Sequence, residues 1–352
     1  MNLKLIQISL FLLLICLCKG YSGKENNNGN KIIKLIQFLS GSKTNDAGEV
    51  YKEQQAYDEQ PNHGALVVRD KNGKPVDKNN LKNNIKIVFI DLDGTLLNKH
   101  QKVSKLNIES LAKAQNKGIK IVFATGRPMF SVNALIGKDV KKNNLSLMPG
   151  IYLNGAITYG PNGDIILDNY IDKKLIMDIY NFSKENNLVG RMFWNSLEKA
   201  HIFEKNEYTD RYLNLELTKP DIIDEETLKN TKIYRILILL DEENLSSVLK
   251  MYKNKFSHRV FVDNTFKTYI EVYHHNANKF EGVKALCKHF DINLNDALAI
   301  GDGENDIEML QGIGTSIAVQ NAPSEIKKCA KYVAPSNIDD GVHHAIRTFC
   351  DI

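Results

Sequence analysis

The sequence predicts an α/β protein: a parallel sheet covered by helices, with a smaller α+β module inserted part-way along it. Three observations predict this. Short apolar runs alternate with helical patterns from residue 85 to residue 155, hairpins replace that rhythm further on, and the β-α rhythm returns from Lys279. Apolar strands alternating with helices indicate a parallel sheet buried on both faces.

The elements follow in order. The apolar run at 85–90, IKIVFI, is the first buried strand. SKLNIESLAKAQNKG brings Ile108, Leu111, Ala112 and Gln115 to helical spacing, with Ser104 as N-cap and Gly118 as stop. IKIVFA (119–124) and GIYLNG (150–155) are the next strands. AITYGPNGDIILDNYI then reads as strand, turn and strand. A helix at 172–186, strands at 188–193 and 199–204, further helices, the strand KIYRILILL (232–240), a helix at 242–256 and strands at 258–263 and 267–273 complete a module placed at 157–271. After it come a helix at 280–290, a strand at 297–301, a helix at 305–311, the runs SIAV and KYVA, and a last helix at 340–349. Cys287 shares a helical face with Val283, Leu286 and Phe290, so it reads as a small core residue.

At 352 residues, with 43% hydrophobic and 25% charged residues, the chain suffices for one large or two medium globular domains. Its net charge of +4 sits in residues 1–84, which hold 12 Lys or Arg against 8 Asp or Glu. The rest is neutral and shows no basic stripe, which argues against nucleic-acid binding. Residues 1–20 read as a signal peptide, with an uncleaved membrane anchor as the alternative: Lys4, an apolar run at 5–18 too short to span a bilayer comfortably, then small residues. Entry into the secretory pathway follows, with a secreted, vacuolar or plastid destination left open. No stable membrane insertion is expected after cleavage. Residues 21–84 read as a low-complexity linker or second targeting segment. Cys287, Cys329 and Cys350 form neither a disulfide framework nor a zinc pattern.

The chemistry gathers at strand ends. The first strand ends on Asp91 and Asp93, and carboxylates beside an apolar core need a cation. Thr125 follows the next strand, Lys279 precedes a helix, and Asp302 and Asp306 lie beyond a later strand. Ligands of open parallel sheets bind beyond the carboxyl ends of the strands, so these residues can converge. Carboxylates, a hydroxyl and an ammonium suit a phosphate beside a hard dication such as Mg²⁺.

DLDGTLL, TGR, a lone downstream lysine and GDGEND, in that order, resemble the four motifs of the haloacid dehalogenase superfamily of phosphohydrolases, and the whole pattern resembles its Cof-type subfamily. The resemblance implies a Rossmann-like parallel-sheet core, at 85–156 and 272–352, with an inserted α+β cap domain. Only 31 residues separate Asp93 from Thr125, while 153 separate Thr125 from Lys279, so the cap belongs in the second interval. It implies Asp91 as nucleophile and Asp93 as general acid and base. It also implies Mg²⁺ held by the Asp91 side chain, the Asp93 carbonyl and Asp302, with Asp306 behind them. Leu92, Thr125, Gly126, Arg127, Lys279 and Asn305 would meet the substrate; for Arg127, packing of the loop is the alternative. Because Gly282 stands three residues after Lys279 rather than next to it, Lys284 is a rival for the lysine. Asn154 either binds substrate or shapes the turn, and Trp194 reads as core. The implied activity is a Mg²⁺-dependent phosphatase for small phosphomonoesters, sugar phosphates foremost. The alternatives are a phosphomutase or a catalytically silent phosphosugar sensor.

Overall fold

The computed structural model describes residues 66–81, 84–266 and 268–352. The predicted signal peptide, Cys16, Cys18 and most of the low-complexity segment lie outside the described residues. No helix among the described residues is long and apolar enough to cross a membrane.

Fifteen strands are described. In chain order they are β1 (Arg69–Asp70), β2 (Ile87–Ile90), β3 (Lys120–Ala124), β4 (Gly150–Tyr152), β5 (Ile157–Tyr159), β6 (Ile165–Asp168), β7 (Met192–Asn195), β8 (Ala200–Ile202), β9 (Asp221–Ile222), β10 (Arg235–Leu239), β11 (Phe261–Phe266), β12 (Tyr269–Tyr273), β13 (Ala297–Gly301), β14 (Thr315–Val319) and β15 (Tyr332–Ala334). The helices are α1 (Lys105–Asn116), α2 (Met129–Lys142), α3 (Lys173–Glu185), α4 (Glu207–Glu216), α5 (Glu225–Asn230), α6 (Glu242–Phe256), α7 (Lys279–His289), α8 (Ile307–Gly312), α9 (Ser324–Cys329) and α10 (Gly341–Phe349). Helix α2 adds to the elements that the sequence predicts.

One sheet runs β1-β15-β14-β13-β2-β3-β4-β5-β6. The strands from β15 to β4 are parallel, and β1, β5 and β6 add antiparallel edges. Alternation along β2 supplies two cores. Val88 and Ile90 join α1, α2 and α10 through Leu111, Ile136 and Ile346. Ile87 and Phe89 join α7, α8 and α9 through Leu286, Leu310 and Ile326, and Cys287 packs here as a buried residue. Ser104 caps α1 by accepting from the Asn107 amide.

The second sheet, β11-β12-β10-β7-β8-β9, is antiparallel except for the β8–β9 pair. One face packs on α3 and α6 through Ile179, Tyr252 and Phe256, with Trp194 fully buried among them. The other face carries Phe193, Leu237, Leu239 and Tyr269, which pack with Tyr208 and Tyr212 of α4 and with Phe130 of α2. This face therefore meets the parallel domain.

Three expected boundaries need correction. The hairpin β5–β6 extends the parallel sheet through β4, so the cap does not begin at 157, and β12 carries its sheet to Tyr273, past 271. Alternation predicts a strand without saying which sheet it joins. The domain also begins before residue 85, because β1 pairs with β15 and Val68 is 1% exposed. Two residues of strand are too short to show a period.

Candidate active site

β2, β3 and β13 lie side by side, and their carboxyl ends present Asp91, Thr125 and Asp302. The Asp91 amide donates to the Ile300 carbonyl (3.0 Å), which ties the first motif to β13. The chain then turns at Gly94, where φ is +81° and a Cβ would stand 2.2 Å from Asp302 Oδ2. Only glycine meets both demands. Thr95 closes the turn by donating to Asp302 Oδ1 (2.6 Å).

Lys279 opens α7, whose N-cap Asn278 accepts from the Phe280 amide. Its side chain is 0% exposed, and Nζ donates to Asp91 Oδ1 (2.6 Å) and Asp306 Oδ1 (2.8 Å). Asp306 Oδ2 accepts the amides of Asp302 and Gly303 (3.0 Å each), so both its oxygens hold protein groups in place. Lys284 is exposed and pairs with Glu281 on the same helix. The lysine among the acids is Lys279.

Asp91, Asp302 and Asp306 each offer a carboxylate oxygen, and the three lie within 4.8 Å of one another. Burial pushes the Asp91 carboxyl well above its usual range; Lys279 pulls it back, while Asp306 and Asp302 add to the rise. Burial, then Asp306, pushes Asp302 up to about 7 against the bond from Thr95. Burial works against the Lys279 ammonium, but Asp306 and Asp91 outweigh it and hold the charge. Three acids crowd a single ammonium, and a dication is the group that would relieve them.

The remaining expected residues surround this centre. Thr125 is buried, and its hydroxyl oxygen accepts the Arg127 amide (3.1 Å). Gly126 lies under Asn154, where a Cβ would stand 3.0 Å from Asn154 Oδ1. Asn305 donates to Asn154 Oδ1 (2.9 Å), linking the fourth motif to the turn after β4. The Leu92 side chain sits in the apolar core, which leaves only its backbone for a ligand. The Asp93 carboxylate accepts from Arg127 Nε and Nη2 (2.7 Å each). Arg127 thus does more than pack its loop. Trp194 faces the cap's own core, and the half-exposed Arg191 pairs with Asp241.

Residues 88–346 match the family of haloacid dehalogenase-like hydrolases. The chain belongs to this family. A structure described as a HAD/COF-like hydrolase from Plasmodium vivax is 31% identical, with a TM-score of 0.71 over 77% of this chain and 97% of that one. The 5-amino-6-(5-phospho-D-ribitylamino)uracil phosphatase YcsE of Bacillus subtilis is 27% identical, over 75% of this chain and 95% of its own. The structure of the HAD subclass IIB sugar phosphatase BT4131 is 25% identical, with a TM-score of 0.63 over 76% of this chain and all of that one. This haloacid dehalogenase-like hydrolase is accordingly a phosphatase of the Cof type.

Sequence reasoning missed Arg235, Glu216 and Glu271, three buried charges of the cap. Arg235 left one trace, a charge set inside KIYRILILL beyond the lysine that opens it.

Proposed function

We propose that the protein is a Mg²⁺-dependent phosphatase of small phosphomonoesters, sugar phosphates foremost, acting through an aspartyl-phosphate on Asp91. One observation carries this reading: the Lys279 ammonium is bonded at once to Asp91 and Asp306, beside Asp302. Three segments remote in sequence meet there.

The residues suit Mg²⁺. Their donors are all oxygens, and three carboxylates against one ammonium leave two negative charges to neutralise. Asp91 and Asp302, with the Asp93 carbonyl, would hold the ion; Asp306, with both oxygens engaged by Lys279 and two amides, would position its neighbours. When bound, Mg²⁺ neutralises charge on the phosphoryl oxygens.

In the first step an Asp91 oxygen attacks phosphorus. The Asp91 O–P bond forms as the P–O bond to the leaving group breaks, and Asp93 gives its proton to the departing oxygen. In the second, Asp93 takes a proton from water as that water's oxygen attacks phosphorus, and the Asp91 O–P bond breaks to release inorganic phosphate. Lys279, Thr125 and Asn305 would bind the phosphoryl oxygens, supplying the electrostatic stabilisation on which phosphoryl transfer depends. The names of two relatives support the substrate class, one a sugar phosphatase and the other acting on a phosphorylated ribityl compound.

The test is phosphate release from a panel of sugar phosphates and other phosphomonoesters, with and without Mg²⁺. Mg²⁺-dependent release, without isomerised sugar phosphate, is expected. Isomerised product would make the enzyme a mutase, and release that survives chelation would remove the metal from the reading.

A further inference from the structure

The cap grips the second motif from both directions. Arg127, in the parallel domain, donates through Nη1 to the Leu215 carbonyl of α4 (2.7 Å), while its Nε and Nη2 hold Asp93 (2.7 Å each). Arg235, on cap strand β10, reaches the other way and donates to the Gly126 carbonyl (3.2 Å). Glu216 joins the two: its Oε1 pairs with Arg235 Nη2, and its Oε2 stands 3.6 Å from Arg127 Nη1. Glu271 and Asn195 hold Arg235 from behind, each at 3.2 Å. The side chains of Arg127, Arg235, Glu216 and Glu271 are all less than 9% exposed.

Buried ion pairs of this kind are weak devices for stability, because desolvation offsets much of their attraction. Their planar forks fix direction. Each Asp93 oxygen accepts a single bond from Arg127, and its second lone pair remains for a proton. The guanidinium therefore holds the carboxyl in one plane without blocking it.

We propose that this clasp positions the acid. Arg235 and Glu216 hold residues 126 and 127 so that Arg127 aims Asp93 at the leaving-group oxygen while the cap is docked. Cap docking and proton donation are then one event. Small misplacements of a reacting group cost about 10²-fold, enough to switch the step off when the clasp opens. The inference rests on the assignment of Asp93 as the acid, made above.

Leaving-group dependence tests it. An alkyl phosphate such as glucose 6-phosphate departs as an alkoxide that needs a proton, whereas p-nitrophenyl phosphate departs as a stable anion. In Arg127→Lys and Arg235→Lys, the ratio of alkyl to aryl kcat/KM is expected to fall about tenfold or more, within the ~10²–10⁴ that a general acid supplies. Aryl kcat/KM, which reports the first step alone, is expected to fall only a few-fold. Both rates come from one preparation, so the ratio does not depend on how much protein folds. The double variant Arg235→Gln with Glu216→Gln, which removes opposite charges together, repeats the test with the net charge of the buried cluster unchanged.

Equal losses on both substrates in these variants would overturn the clasp. Asp93→Asn on the same two substrates separates the underlying assignment. A selective loss there with unselective arginine variants rejects the clasp alone, and an unselective loss there rejects Asp93 as the acid.

Discussion

Asp91 shows how much one residue carries. It directly follows β2, bonds Lys279 and belongs to the carboxylate cluster. Asp91→Asn keeps the shape and removes the proposed nucleophile, so turnover should be lost while the thermal transition persists; appreciable activity in the variant would reject the assignment. Lys279→Ala strands two buried carboxylates, whereas Lys284→Ala removes an exposed pair worth at most about 1 kcal/mol. The first should therefore cost activity by orders of magnitude and the second little, and a reversed order would shift the motif to Lys284. Acidity adds a third expectation. In the metal-free protein burial pushes the Asp302 carboxyl up to about 7, against 3.8 for an ordinary aspartate, so between those values this group binds more protons in the folded state than in the unfolded one. Its contribution to metal-free stability, read as the difference between the parent and Asp302→Asn, should accordingly decline as pH rises across that window. Mg²⁺ needs the ionised form and must displace a proton at lower pH, so its increment in Tm should be larger at pH 8 than at pH 5.5. Equal increments would exclude Asp302 as a ligand.

Elements set the precision with which these residues meet. The turn after β2 exists because Gly94 occupies the left-handed region against Asp302. Gly94→Ala would add backbone strain of order 1 kcal/mol or more and drive a methyl into Asp302, so Mg²⁺ affinity measured by calorimetry should collapse. Affinity at the parent level would show that the turn can shift freely. At the far edge of the sheet, β1 pairs with β15 and buries Val68. A chain starting at residue 80 should therefore melt several degrees below one starting near residue 60, since burying a valine is worth about 1.5–3 kcal/mol. Identical melting temperatures would make that strand dispensable.

Across the whole molecule, the site is assembled by topology. β2 stands between β13 and β3, so the first, second and fourth motifs share one edge of the sheet, and the return from the cap places Lys279 at the start of α7 among them. Phe130 and the two arginines then seat the cap over that edge. Arg127 and Asp93 were legible separately, as members of motifs; their mutual bond was not, because nothing in either segment names a partner 34 residues away. Arg235 was less legible still, a single charge in an apolar strand whose partners come from α4, β12 and the loop after β3.

Local chemistry by itself determined the polar residues at the strand ends, the parallel core and the interval that holds the inserted module. Apolar periodicity and the order of polar strand ends are properties of short stretches, and they survive without coordinates. The hairpin's membership of the larger sheet, the early start at β1 and the buried charge network were decided only by tertiary structure. Strand pairing and ion pairing depend on which distant segment arrives opposite, and no local pattern encodes that arrival.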